Sequence, residues 1–433
     1  MRNSKMALAL ALWAALAPPA SGQRLSLDVE AARATDPRAQ GWMQGAPPSP
    51  SIRLSDGSYY QFPQLRWTFA NWSRIFPTAL VKAPAETVPL EAALRTDLQG
   101  LRFRSEVKGR PTLVLEDALD LIHSDGIVVL HQGRVVYARL GGALEADGRH
   151  IAWSVTKSFV GLLAEALIAE GKLDEGRTVA TYVPELAQGG YGDATVRQLL
   201  DMQTGVAFDE RYGDPQSAIS RHAMAGGMVP RPAGADVPEG FLAFLQTIPR
   251  AGPHGAAMTY RTADTDVLAW VIARATGASL STLFEERFWK PMGMAHDAQL
   301  HLDPLGTPFA GGGLNLALGD LARFGEMVRL NGRFNGRQIV PESAVASLLM
   351  GDAAKFPATT YPMLKGWSYR GQWWVAPDGV LMARGVHGQA IWIDPRRELV
   401  IARFGSHPVA GNNAIDPIAL PMYRAIGEKV AGR

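Results

Sequence analysis

The sequence predicts a mixed α/β (α+β) fold in which an antiparallel sheet is covered by helices and a mostly helical subdomain is inserted in the middle. Two hairpin patterns support this prediction, because apolar runs flank the turn Gln132-Gly133 and a second pair flanks Asp394-Pro395. Between the two hairpins, apolar residues recur mainly at helical spacing. Strand pairs near both ends of a chain favour one sheet to which both ends contribute.

The chain is expected to divide into three segments. Residues 1–22 begin with basic residues, continue as an apolar run too short to span a bilayer and end at small residues, which predicts a signal peptide. Residues 23–110 contain prolines and scattered aromatics, and we expect a segment that wraps the outside of the domain without carrying chemistry. Residues 111–433 form the main domain, with the helical insertion at about 175–310.

The signal peptide predicts a bacterial protein that is exported to the periplasm or secreted. No cysteine follows the apolar run and no later stretch is long and apolar enough to cross a bilayer, so no membrane anchor is expected. Lysine plus arginine total 43 and aspartate plus glutamate total 41. This balance gives no reason to expect nucleic acid as a partner.

The residue types that are missing argue against several kinds of site. The chain has 0 cysteines, which excludes thiol catalysis and cysteine metal sites. The 9 histidines form no His-x-x-x-His pair, and His296 and His301 are a weak metal candidate, so neither a metal nor a cofactor is expected. The sequence contains no Gly-x-Ser-x-Gly, which argues against an α/β-hydrolase.

One stretch carries a candidate catalytic pair. From Val155 the apolar residues recur at helical spacing until Gly171, a residue suited to a helix C-terminus. Ser154 and Lys157 are one helical turn apart, so their side chains can meet on one face of this buried helix. A lysine kept neutral by burial can take the proton of a serine hydroxyl, and N–H groups at the helix start can stabilise an oxyanion.

None of the candidate motifs is specific by itself. A second Ser-x-x-Lys occurs at Ser105 and Lys108, among arginines and with no apolar helix after it, and is interpreted as a solvated face or loop. Tyr260 precedes a helical pattern that ends at Gly277, and His387 lies at a glycine-rich entry to a late strand. Each of these two residues alone is more typical of packing than of function.

The order of the motifs is more specific than any one of them. Ser-x-x-Lys, then Tyr-x-Thr at Tyr260, then His-Gly-Gln at His387 resembles the serine β-lactamase and penicillin-binding-protein superfamily. Within it the chain is similar to class C-type β-lactamases, family VIII esterases and, most of all, 6-aminohexanoate-dimer hydrolases. The likeness extends over nearly the whole mature chain and rests on Gly41–Met43, Ser154–Phe159, Leu199–Val206, Gly311–Asn315 and Gly388-Gln389 ahead of Asp394-Pro395.

The resemblance implies an acyl-enzyme mechanism. Ser154 would attack a carbonyl carbon, while Lys157 and Tyr260 would share the proton transfers, with Tyr260 as a phenolate or proton relay. The backbone N–H groups of Ser154 and Ala390 would form the oxyanion hole. The resemblance also implies five residues at the substrate: Tyr212, Thr262, His387, Gly388 and Gln389.

Two positions depart from the superfamily pattern. Thr262 replaces the usual asparagine of the second motif, and His387 stands where β-lactamases keep a lysine that meets the substrate carboxylate. A histidine is mostly neutral at pH 7, so efficient β-lactam hydrolysis is not expected. Trp373 and Trp374 are interpreted as core residues.

The expected protein is an exported serine hydrolase that acts on small linear amides or esters, like a 6-aminohexanoate-dimer hydrolase. A carboxylesterase, a D-amino-acid peptidase or a β-lactamase of the same superfamily would share every residue named. The alternative from another class is a non-catalytic homologue that binds peptidoglycan. The presence of Ser154, Lys157 and Tyr260 together argues against that alternative.

Overall fold

A computed structural model describes residues 27–231 and 234–432. The expected signal peptide, residues 1–22, lies outside the described residues. The strands are β1 Thr78–Val81, β2 Arg102–Arg104, β3 Thr112–Val114, β4 Ser124–His131, β5 Arg134–Leu140, β6 Arg149–Ile151, β7 Ala298–His301, β8 Leu314–Ala317, β9 Arg333–Phe334, β10 Arg337–Gln338, β11 Ser368–Arg370, β12 Trp373–Val375, β13 Leu381–Gly385, β14 Gln389–Asp394 and β15 Leu399–Gly405.

The main sheet has seven antiparallel strands in the order β11-β12-β13-β14-β15-β4-β5. The two hairpins predicted from the sequence are β4-β5 and β14-β15, and they join where β15 pairs with β4. The predicted fold class is therefore confirmed, with both ends of the chain meeting in one sheet.

The two faces of the main sheet are covered by different helices. Side chains alternate along β14, so Ile391 and Ile393 pack in one apolar cluster with the helix that begins at Val155. Ala390 and Trp392 pack in the other cluster, with the C-terminal helix. The α-helices are Val29–Arg33, Pro37–Gln40, Leu65–Thr68, Leu115–Leu121, Val155–Ala169, Val179–Tyr182, Val196–Leu200, Ala218–Ala225, Phe241–Gln246, Thr262–Thr276, Leu280–Phe284, Lys290–Met292, Leu318–Arg329, Glu342–Leu348 and Asp416–Val430.

A second sheet, in the order β1-β7-β8-β6, ties the N-terminal segment to the helical insertion. Aromatic side chains of the segment, including Tyr59 and Trp72, pack in one buried cluster with Trp153 and Phe309. Trp153 directly precedes Ser154. The expectation that residues 23–110 carry no chemistry therefore needs revision, because this segment builds one wall beside the candidate nucleophile.

No single helix in the described ranges has the length and hydropathy needed to cross a membrane. Thr262–Thr276 and Leu280–Met292 meet those criteria only together, and they are bent by 80° relative to each other.

Candidate active site

Ser154 lies at the N-terminus of the buried helix Val155–Ala169 and is itself 8% exposed. The preceding residue, Trp153, has a φ of 44°, an unfavourable backbone conformation for a bulky residue that packing must hold in place. The helix lies close against the β11-β12 turn, since a Cβ at Gly161 would be 2.1 Å from the carbonyl oxygen of Gly371. Packing from both sides therefore fixes the position of the Ser154 hydroxyl.

Lys157 meets Ser154 as the helical spacing predicts. Its Nζ is 3.1 Å from Ser154 Oγ and 3.2 Å from Thr262 Oγ1, and it also donates to the carbonyl oxygen of Gly311. Burial lowers the pKa of Lys157 to about 8, because desolvation penalises the ammonium form more than nearby carboxylates, Glu210 first, stabilise it. About a tenth of the Lys157 amine is therefore neutral at pH 7, far more than for an exposed lysine.

The Gly311 carbonyl that accepts from Lys157 is held by a buried pair. Asp266 Oδ1 accepts from the Gly311 backbone N–H at 2.9 Å, and Asp266 Oδ2 is 2.8 Å from His222 Nε2. Asp266 lies on the helix Thr262–Thr276, which also supplies Thr262. One helix thus orients two of the groups around the ammonium.

Tyr260 completes the triad expected from the resemblance. Its hydroxyl is hydrogen-bonded to Ser154, and its ring lies with the centroid 5.2 Å from Lys157 Nζ and stacks on Trp374. Desolvation, followed by the nearby charge of Glu210, raises the pKa of Tyr260 well above its ordinary value. The neutral phenol is therefore the form present, which favours a proton donor rather than a phenolate.

Glu210 is a site residue that sequence reasoning missed. One carboxylate oxygen accepts from the backbone N–H of Thr262, and the other accepts from the Tyr212 hydroxyl at 2.7 Å. Within Asp209–Tyr212 this residue resembled an ordinary solvated loop acid, and the sequence offered no signal to distinguish it. Glu210 links the loop that carries Tyr212 to the helix that carries Thr262.

The two cavities beside Ser154 are not lined by His387, Gly388 or Gln389, which were expected at the substrate. His387 is 1% exposed and lies in a turn, with a φ of 63°. Its Nε2 is 2.7 Å from the Tyr60 hydroxyl, and its Nδ1 is 2.6 Å from the His407 carbonyl oxygen. Because a carbonyl only accepts, Nδ1 carries the proton and Nε2 accepts from Tyr60. Burial lowers the pKa of His387 to about 4, so it stays neutral.

The other two residues of this motif, Gly388 and Gln389, also contact buried protein groups. A Cβ at Gly388 would lie 2.8 Å from the Arg403 guanidinium, which explains why a glycine fits there. The Gln389 amide donates to the carbonyl oxygens of Val386 and Gly405 at 3.0 and 2.6 Å. The expectation that these three residues contact the substrate is therefore corrected. The turn behind Val386 is shaped by His387, Gly388 and Gln389.

Ala390, expected in the oxyanion hole, lies inside the sheet. It is 3% exposed and is paired with Arg384 on one side and Arg403 on the other. Val386, by contrast, lines two cavities that meet at Ser154. Among the described residues, neither the Val386 N–H nor the Ser154 N–H has a hydrogen-bond acceptor. We therefore reassign the expected second N–H from Ala390 to Val386.

Two cavities meet at Ser154, and Tyr212 and Val386 line both of them. The first has a volume of about 110 Å³ and is walled by aromatic and aliphatic side chains. The second has a volume of about 340 Å³ and contains Tyr260 together with charged and amide side chains. Trp374, expected in the core, lines this second cavity, whereas Trp373 is fully buried as expected.

The weak metal candidates His296 and His301 do not converge. His296 Nδ1 is 3.4 Å from Asp320 Oδ2, whereas His301 Nδ1 is 3.3 Å from Trp72 Nε1. Across the described ranges, no three histidine or acidic side chains come close enough together to hold a metal ion. The second Ser-x-x-Lys also fails to form a pair, since the buried Ser105 hydroxyl donates to the Arg110 carbonyl oxygen.

Comparison with known proteins agrees with this geometry. Residues 115–417 match the beta-lactamase family. A 6-aminohexanoate-dimer hydrolase of Paenarthrobacter ureafaciens is 34% identical over 358 residues, which cover 81% of this chain and 88% of the relative.

Solved structures show the same architecture. A Bacillus anthracis protein provisionally named a 6-aminohexanoate-dimer hydrolase has a TM-score of 0.79 at 29% identity, with 87% of this chain and 97% of that one covered. A family VIII carboxylesterase shares the fold with a TM-score of 0.52 at 16% identity, over 72% of this chain and 96% of that one. The chain belongs to the beta-lactamase family of serine hydrolases and resembles its 6-aminohexanoate-dimer hydrolases.

Proposed function

We propose that this protein hydrolyses small linear amides or esters through an acyl-enzyme on Ser154. The observation that carries this proposal is the buried contact between Lys157 Nζ and Ser154 Oγ at 3.1 Å. A lysine whose pKa is lowered to about 8 is a suitable base for a serine hydroxyl near neutral pH.

In the acylation step, neutral Lys157 takes the Ser154 proton as Oγ attacks the substrate carbonyl carbon. The carbonyl oxygen gains negative charge in the tetrahedral intermediate. The N–H groups of Ser154 and Val386 are unpaired and line the same space, so they would donate to that oxygen. Because the Ser154 N–H also lies at a helix N-terminus, the helix dipole favours the developing charge.

Collapse of this intermediate requires a proton on the leaving amine or alkoxide. Tyr260 is protonated, contacts Ser154 and lies in the second cavity, so it would donate that proton and recover one from Lys157. Water would then attack the acyl-enzyme with the same two groups acting in reverse. The leaving group therefore departs on the Tyr260 side of Ser154.

Covalent labelling tests this proposal directly. A fluorophosphonate probe should add one adduct per wild-type chain, and peptide mapping should place it on Ser154. Ser105→Ala is the matched control, because Ser105 belongs to the second Ser-x-x-Lys and should label like the wild type. An unlabelled wild-type protein would favour the non-catalytic binding homologue.

The pH dependence of acylation should follow Lys157. Only the neutral amine acts as a base, and its fraction grows as pH rises through about 8. We expect kcat/KM for a p-nitrophenyl ester to increase about tenfold per pH unit on the acid side and to level off above the pKa. A profile that is flat from mildly acidic to mildly alkaline pH would contradict this role of Lys157.

Substitution of Glu210 should move that profile. The Glu210 carboxylate raises the pKa of Lys157, so Glu210→Gln should lower it and shift the rising limb to lower pH. Glutamine keeps an oxygen that can accept from the Thr262 N–H, which limits the structural change. The exposed Glu342→Gln is the control and should leave the profile in place. A shift to higher pH in Glu210→Gln would refute the electrostatic coupling.

Export is part of the proposal and rests on the sequence of residues 1–22 alone. When the full chain is produced in a Gram-negative host, the periplasmic fraction should contain a protein whose N-terminus is Gln23. A product that stays in the cytoplasm with its first residues intact would count against export.

A further inference from the structure

We propose that the acyl half of the substrate is an uncharged apolar chain, bound in the cavity defined by Tyr59, Tyr60, Trp72, Trp153 and Phe309, here called the acyl cavity. This inference rests on the proposed function and narrows its substrate class. An ω-amino acyl group, such as 6-aminohexanoyl, would place an ammonium ion in the acyl cavity. The described lining of that cavity contains no carboxylate to balance that charge.

The direction of substrate binding follows from Tyr260. It lines the larger second cavity and is absent from the lining of the acyl cavity. Since the leaving group needs the Tyr260 proton, that group occupies the second cavity, and the acyl chain extends to the opposite side of Ser154. The acyl cavity is the space that opens on that side.

No charged side chain lines the acyl cavity among the described residues. Besides its aromatic walls, the cavity is lined by aliphatic side chains such as Ile219, Met228 and Val229. The second cavity, by contrast, holds Glu210 and Arg384. The chain thus separates an apolar half-site from a charged one across a single nucleophile.

Polar side chains in the wall of the acyl cavity are already hydrogen-bonded to the protein. The Tyr59 hydroxyl donates to the Met228 carbonyl oxygen, and the Tyr60 hydroxyl donates to His387 Nε2 at 2.7 Å. The Ser220 hydroxyl donates to the Asp214 carbonyl oxygen at 2.6 Å. Each of these oxygens keeps a lone pair, but it is a neutral acceptor and provides no counter-charge for an ammonium ion.

Two acceptors near the nucleophile already bind the Lys157 amine: Thr262 Oγ1 and the Gly311 carbonyl oxygen both accept a hydrogen bond from it. Among the side-chain polar atoms of the described wall, only Trp153 Nε1 has no hydrogen-bond partner, and it is a donor, as are the free backbone N–H groups of Ser154 and Val386. An ammonium group has three donors and no acceptor, so these donors offer it nothing, and the described wall contains no carboxylate to balance its charge. The indole N–H would also repel it.

The aromatic walls do not replace a carboxylate. A cation over an aromatic face is attracted, but this attraction is smaller than the cost of moving an ammonium ion out of water without a counter-charge. A methyl-terminated chain of the same length loses no hydration of this kind and gains apolar burial, roughly fourfold in affinity for each methylene. The cavity therefore discriminates by charge at the chain end.

A matched pair of amides tests the inference. Hexanoyl p-nitroanilide and 6-aminohexanoyl p-nitroanilide share a leaving group and differ only at the chain end. For the full-length wild-type enzyme we expect kcat/KM to be at least about tenfold higher for the hexanoyl compound. Equal values, a preference for the amino compound, or no turnover of the hexanoyl compound by an enzyme that still labels at Ser154 would overturn the inference.

A charge inserted into the wall should reverse the preference. Ala223 is a small, half-buried residue of the wall on the helix Ala218–Ala225, so it can accept a longer side chain. We expect Ala223→Asp to raise the kcat/KM ratio of the amino compound to the hexanoyl compound about tenfold or more, and Ala223→Asn, of the same size without the charge, to leave the ratio unchanged. An unchanged ratio in a folded Ala223→Asp protein would overturn the inference.

The two proposals fail in different ways. If Ser154 does not label and neither amide nor ester is turned over, the acyl-enzyme proposal fails and this inference fails with it. If Ser154 labels and esters are hydrolysed but the two amides are cleaved alike, only the assignment of the acyl cavity fails.

Discussion

Ser154→Ala should reduce kcat for p-nitrophenyl acetate by a factor of about 10⁴ or more, because the variant has no nucleophile for the acyl-enzyme. The residual rate should come only from the oxyanion donors and substrate positioning. Steady-state kinetics at a high enzyme concentration, with substrate still in excess, would check this. Turnover within tenfold of the wild type would refute Ser154 as the nucleophile.

The fold of this variant should survive, since the Ser154 hydroxyl contributes only its contacts with Lys157 and Tyr260. Each of these two buried hydrogen bonds is worth about 1 kcal/mol, so the thermal midpoint should change by only a few degrees. Ser105→Ala supplies the control for activity, because its hydroxyl belongs to the sequence copy of the motif that lies away from the site. That variant should keep wild-type turnover.

Lys157→Ala should lower kcat/KM by about 10³-fold, in line with the usual contribution of a positioned general base. The rising limb of the pH profile should disappear with it, because the group that titrates near 8 has been removed. A loss below tenfold would mean that another base activates Ser154.

A structural effect must be separated from a catalytic one in this variant. Removing the Lys157 amine leaves the Gly311 carbonyl oxygen and Thr262 Oγ1 without their donor, which costs about 1–3 kcal/mol for each buried group. Chemical denaturation measures the loss in free energy of unfolding. Lys157→Met keeps the buried volume of the side chain, so it should lose less stability than Lys157→Ala. The exposed Lys108→Ala is the control for removal of a lysine amine and should behave like the wild type.

Local patterns predicted much of the fold and the centre of the site. The hairpins follow from apolar runs around short turns, and the contact between Ser154 and Lys157 follows from helical geometry, so both are encoded within a few residues. The role of Tyr260 needed the order of three motifs along the chain. The sheet pairing confirms the hairpins, and the contacts around Lys157 place Ser154 and Tyr260 beside it, while their catalytic roles stay predictions.

Features that depend on distant residues could not be predicted in this way. The Tyr60 hydroxyl bonds to His387 across 327 positions, and Glu210 binds the Thr262 N–H across 52. The sequence around His387 did not show that its ring would contact Tyr60, a residue of the N-terminal segment. Ala390, the expected oxyanion donor, lines neither cavity, because the turn at Val386, rather than the strand after it, faces them.

If Ser154 binds the substrate covalently, the acyl-enzyme can be trapped during turnover. Acid quenching of the wild-type enzyme during turnover of p-nitrophenyl hexanoate, followed by intact and peptide mass analysis, should show one hexanoyl group per chain. The acyl group should be on the peptide that contains Ser154, and Ser154→Ala should show none. An acyl group on another residue, or a burst of p-nitrophenol that persists in Ser154→Ala, would contradict covalent binding by Ser154.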